Sequence, residues 1–200
     1  MAKDAALAPK PADPYPIPDP GPIGLSAFAA TTMMLSIFNA GLMDAGLKGV
    51  VLPVALIYGG ATQVIVGVLE LFRKNIFGAT AFMSYGAFWI AYKGISDWTP
   101  AGDVNKAHAA GLFLLAFGIF TVGMTLITLR LNVGLAVTFS LLTITFILLT
   151  IGDFSGNATI THAGGYFGLI TAVAAWYTGF VGIFNHTWGR QVLPNPSLAK

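Results

Sequence analysis

Residues 77–89 read Phe-Gly-Ala-Thr-Ala-Phe-Met-Ser-Tyr-Gly-Ala-Phe-Trp, a run apolar enough for lipid that nevertheless carries Thr80, Ser84 and Tyr85. At 3.6 residues per turn, Thr80, Ser84, Ala87 and Ala91 fall on one small or hydroxylic stripe, with Tyr85 beside it and Phe82, Phe88 and Trp89 spread around the remaining surface. Two readings are open for the stripe. Small residues let a neighbouring helix pack closely, the reading this stretch alone favours, and hydroxyls can line a polar path.

The rest of the chain places this helix in a membrane. Of 200 residues, 56% are hydrophobic and only 9% charged, against roughly 25% charged in soluble domains. Mean hydropathy is +0.76. A net charge of +2 with no basic block leaves a nucleic-acid partner without an electrostatic footprint. The absence of cysteine removes disulfides, thiolate catalysis and Cys-ligated metals. Strand-like alternation is missing; the apolar runs are continuous and of the length a helix needs to cross a hydrocarbon core of about 30 Å. The expected fold is an all-α integral membrane bundle of six transmembrane helices, over 23–43, 49–72, 77–95, 107–129, 131–152 and 161–184. Residues 1–22 hold seven of the eleven prolines and read as an extended or disordered tail. A single transport domain over 23–188 and a short tail over 189–200 complete the division. With six spans both termini share one side. That side carries seven of the ten lysines and arginines, so both termini are expected in the cytoplasm.

Polar residues inside the spans are the functional candidates. In the first span Phe28, Thr32, Leu35 and Asn39 share a face; a polar-lined path and hydroxyls bonded back to their own helix both fit. In the second, Gly59, Gln63, Gly67 and Glu70 share a face. Glu70, the only glutamate, lies one turn before Arg73 and Lys74 and reads as a hydrated salt bridge rather than a proton carrier. Gln63 is deeper and needs a partner. In the fifth, Thr138, Leu141, Thr145 and Gly152 line one side, fitting a water-lined path with a dry ring as well as it fits plain bundle core. Asn157 and His162 follow the fifth span, and His162 suits a capped helix start or a proton relay. His108, His162 and His186 are isolated, so no metal site is expected. No nucleophile with its base, phosphate loop or carboxylate pair is present, so neither an enzyme nor a cofactor is expected.

Residues 77–89, together with Gly24 and Leu25 after Pro20 and Pro22, Tyr58-Gly59-Gly60, Gln63, Glu70, the run Gly156-Asn157-Ala158, His162, Gly189-Arg190 and Leu193-Pro194, resemble the acetate uptake transporter family, the succinate/acetate permeases. The resemblance covers nearly the whole chain. It implies six-helix protomers in the plasma membrane's lipid bilayer, a ring of six protomers, and passage of acetate, in some members succinate, with protons or channel-like. It also implies a hydrophobic constriction at Phe28, Tyr85 and Leu141. Five, eight and ten residues into their spans, these would lie roughly 8, 12 and 15 Å deep. Donors along the path are then expected from Thr32, Asn39, Gln63, Thr80, Ser84, Thr138, Thr145 and Asn157, with Glu70 and His162 in a proton or salt-bridge role. Asp19 departs from the asparagine usual at this position, and its charge would repel a carboxylate. The rival readings are a channel for urea, ammonia or water, from which the paired Asn-Pro-Ala repeats of aquaporins are missing, and a membrane scaffold or sensor without transport.

Overall fold

Most helices start where an asparagine accepts the first free backbone donors. Asn75 Oδ1 accepts from Gly78 N at 3.0 Å, Asn105 Oδ1 from Ala107 N at 3.0 Å, Asn132 Oδ1 from Leu135 N at 2.9 Å, and Asn157 Oδ1 from Thr159 N at 3.0 Å. The computed structural model describes residues 17–98 and 105–199. Among these, six helical rods run in order: α1 Gly21–Asn39, α2 Ala45–Phe72, α3 Ile76–Asp97, α4 Lys106–Thr128, α5 Val133–Ser155 and α6 Ala158–Thr187.

Five of the six are long and apolar enough to cross a membrane. The other, α3, has 22 residues, about 33 Å, but its glycine, alanine and hydroxyl content dilutes its hydropathy. The chain is a multi-pass membrane protein. No strand occurs among the described residues.

The rods form a ring. In it α1 packs on α6, α6 on α5, α5 on α4, α3 on α2 and α2 on α1. The α3–α4 contact that closes it is made by large rings: Phe88 stacks on Phe113 at 4.9 Å and meets Phe117 edge-on at 5.0 Å. Elsewhere helices touch at backbone distance. A Cβ on Gly165 of α6 would stand 2.2 Å from Ala40 N at the end of α1, so only glycine permits that crossing. The second rod is not uniform. Past Pro53, residues Ala55–Thr62 widen into a π-helical turn that brings Gly60 against α3, where a Cβ on Gly86 would lie 2.9 Å from Gly60 O.

Both terminal segments are docked more closely than their sequence implies. Helix α1 begins at Gly21, not 23, and Asp19 Oδ1 accepts from Gly21 N at 2.9 Å. Arg73 Nη1 donates to Ile17 O, so the expected loose tail ends earlier; its residues 1–16 lie outside the described ones, as does Pro100. The expected C-terminal tail is held at five points. Asn185 Oδ1 accepts from Val192 N and Leu193 N at 2.6 and 3.0 Å, Tyr177 Oη donates to Pro194 O at 2.7 Å, Gly134 N donates to Asn195 Oδ1 at 2.8 Å, and Asn132 bridges to Ser197. The last rod starts at Ala158 because Asn157 caps it, which carries His162 into the helix rather than to its opening.

Candidate functional site

Two cavities lie inside the bundle, and three side chains line both: Phe28 from α1, Tyr85 from α3 and Leu142 from α5. One cavity, about 300 Å³, opens toward the chain ends and is lined by Asp19 and Asn195 among others. The other, about 460 Å³, lies at the far ends of the rods beside Asn39, Lys48 and Asp153. The three dividing residues are all buried, at 7%, 3% and 4% exposure. Tyr85 stands at the centre of the partition, with ring centroids 5.8 Å from Phe28, 5.7 Å from Phe120 and 5.9 Å from Phe139. Its hydroxyl is paired with Thr121 Oγ1 at 2.9 Å.

Leu142 stands where Leu141 was expected. Adjacent residues are turned by about 100° around a helix, and the inward face of α5 runs through Thr138, Leu142, Thr145, Leu149 and Asp153. Leu141 lines neither cavity; its carbonyl accepts the Thr145 hydroxyl at 2.9 Å.

Of the expected path residues, Thr32, Asn39 and Thr145 line the far cavity, and Gln63 and Thr138 the terminal-side one. Their hydroxyls differ in state. Thr138 donates to Gly134 O at 2.8 Å and Thr145 to Leu141 O, so both have spent their proton on their own helix. Thr32 Oγ1 is buried with no hydrogen-bond partner among the described residues, as are Trp89 Nε1 in the same cavity and Gln63 Oε1 in the other. The Gln63 amide gives its Nε2 donor to Gly59 O at 2.6 Å, which leaves the carbonyl oxygen unmatched.

Glu70 lines the terminal-side cavity. It is buried rather than hydrated, at 1% exposure; Asn75 Nδ2 donates to it at 3.0 Å, and Arg73 Nε forms an ion pair with it at 3.8 Å. Asp19 shares that cavity. Its carboxylate makes to Gly21 N a bond that an asparagine carbonyl there would also make, so the local turn is insensitive to the exchange and only the charge differs.

Besides Leu141, four expected residues lie outside both cavities. Thr80 is exposed on the outer surface of α3 and Ser84 half-buried beside it, because α2 occupies a different face of that helix. The small stripe therefore faces away from the bundle. Asn157 caps α6, and His162 is exposed against Gly41. Residues not anticipated as lining are Leu142, Lys48, Trp89 and Asp153, together with Asn132 and Asn195. A one-residue phase change on α5 would have found Leu142 and Asp153. Asn195 carries no local signal, since only the docked C-terminal segment brings it to the cavity.

This arrangement has known counterparts. Residues 4–200 match the GPR1/FUN34/yaaH family. The chain is 39% identical over 178 residues to the Succinate-acetate/proton symporter SatP of Escherichia coli K12, covering 88% of this chain and 94% of that one. It is 38% identical over 184 residues to Ammonia transport outward protein 2 of Saccharomyces cerevisiae, covering 88% of this chain but 64% of that longer protein. The solved structure of the bacterial acetate channel SatP is similar at a TM-score of 0.83 and 37% identity, over 90% of this chain and 99% of that one. With sequence match and fold in agreement over nearly its full length, the chain belongs to the GPR1/FUN34/yaaH family.

Proposed function

We propose that the protein carries acetate, and with lower preference succinate and other short carboxylic acids, across the membrane through the axis of each protomer. The observation that carries this reading is the pair of cavities separated by Phe28, Tyr85 and Leu142. Such a ring is a dehydration filter. An idealised carboxylate moved from water to an apolar medium loses about 20 kcal/mol of solvation. Near pH 7 only about one acetic acid molecule in 500 is neutral, taking its pKa as that of a glutamate side chain, about 4.3. The polar groups beside the ring fit both species. Thr32 Oγ1 and Trp89 Nε1 are unmatched on the far side and suit an anion awaiting passage, whereas the Gln63 carbonyl on the other side is an acceptor for the O–H of a neutral acid. The proton accordingly crosses with the substrate. Tyr85 contributes its ring, since its hydroxyl is committed to Thr121.

The lysine and arginine bias puts the terminal-side cavity in the cytoplasm and the far cavity outside. Exposed apolar side chains around the bundle, among them Ile119, Leu126 and Ile170, suit lipid or neighbouring protomers of a six-membered ring. The name of the yeast relative favours a second reading, passage of ammonia, because a dry ring also admits a small neutral base. Uptake of labelled acetate into proteoliposomes, with methylamine in parallel as an ammonia analogue, separates the two. Saturable acetate uptake that rises with an imposed inward proton gradient is expected. Methylamine flux without acetate flux would overturn the carboxylate reading.

A further inference from the structure

The far cavity is lined by three charged side chains among the described residues, Lys48, Lys106 and Asp153. Two cations against one anion leave it electropositive. Lys106 gives a donor to Ser96 O at 2.7 Å. Lys48 is held differently: its Nζ donates to Asn39 Oδ1 at 3.0 Å, and no carboxylate among the described residues makes an ion pair with it. Asp153 acts on it electrostatically across the cavity. An ammonium has three donors, and the described residues accept one. Because Asn39 receives that bond through its oxygen, its Nδ2 donors stand beside the ammonium with no acceptor among the described residues. Charge and amide together offer two adjacent donor groups, the match for the two oxygens of one carboxylate.

We infer that Lys48 and Asn39 form a carboxylate-capture site in the far cavity, with Asp153 as the built-in competitor that keeps capture weak enough to release. The ligand class rests on the transport reading above; the site's geometry does not. A captured anion has further donors in the same cavity at Thr32 and Trp89, both buried and unmatched, so capture feeds the path rather than trapping the anion at its mouth. Asp44, close to Lys48 in the chain, is turned to its own backbone through Gly46 N at 2.8 Å and does not substitute for Asp153.

The test is acetate binding to detergent-purified full-length protein by calorimetry, with acetate uptake into proteoliposomes in parallel. Lys48→Met is expected to weaken binding and raise the half-saturating acetate concentration about tenfold, the scale of one charge-assisted hydrogen bond. Asp153→Asn is expected to tighten binding about threefold, and the double variant to behave as Lys48→Met. Lys48→Arg, which keeps the charge, is expected to bind within about threefold of the parent. Opposite signs for the two single variants are the discriminating result, because structural damage would weaken both. Unchanged binding in Lys48→Met, or weakening in both single variants, would overturn the site while leaving the transport reading intact. Binding with the expected signs but no flux in the parent protein would overturn the transport reading and keep the site.

Discussion

Leu142→Ala would remove an isopropyl group from the partition between the two cavities. Leu142 is 4% exposed and packs in one buried cluster with Phe28 and Tyr85, yet it also borders open space of about 460 Å³ on one side and about 300 Å³ on the other. The vacated volume joins these spaces instead of forming a closed void. The expected loss of stability is therefore about 2–3 kcal/mol, at the low end for a buried Leu→Ala change. The functional effect is larger. An aperture that fits a two-carbon acid discriminates against each extra methylene by about 1–3 kcal/mol, so opening it is expected to raise uptake of succinate or butyrate relative to acetate by at least about tenfold. The assay is dual-label uptake into proteoliposomes, with thermal melting in detergent confirming that the variant is folded. Leu141→Ala is the control, since Leu141 lines neither cavity. A folded Leu142→Ala protein with an unchanged ratio, or an equal change in Leu141→Ala, would refute the partition.

Tyr85→Phe keeps the ring and removes only the hydroxyl paired with Thr121, whose own Oγ1 still has Phe117 O at 2.7 Å; acetate flux and its pH dependence are expected to stay within about twofold, with about 1 kcal/mol of stability lost. A collapse of the pH dependence would put that hydroxyl on the proton path. Gly165→Ala drives a Cβ into the Ala40 backbone, which cannot yield as a side chain would, whereas Gly123→Ala meets nothing within 4 Å; the first is expected to cost at least about 3 kcal/mol and the second to stabilise by about 0.5–1 kcal/mol, read as melting temperatures. If the neutral acid crosses the ring, uptake at fixed total acetate rises about tenfold as pH falls from about 7 to about 6, because the neutral fraction does; pH-independent uptake would instead point to the anion.

Composition and periodicity alone determined the membrane class, the number of rods and their approximate ends, because lipid leaves a helix no choice about its backbone bonds and demands a minimum length. The pattern of residues 77–89 was enough to mark α3 as unusual, and the family resemblance pointed to Phe28 and Tyr85, which line both cavities. Tertiary structure alone decided which side of each helix faces inward. Helix α3 is apolar nearly all round, so its own pattern does not say whether Tyr85 or the Thr80–Ser84 stripe points to the axis, and packing against α2 and α1 turned the stripe outward. The same ambiguity separates Leu141, which lines neither cavity, from Leu142, which lines both, two identical side chains that differ only by rotation about the helix. Lys48, Asp153 and Asn195 belong to no shared sequence pattern. Three separate segments bring them to the cavities, and only the closed ring of helices puts those segments around the two cavities.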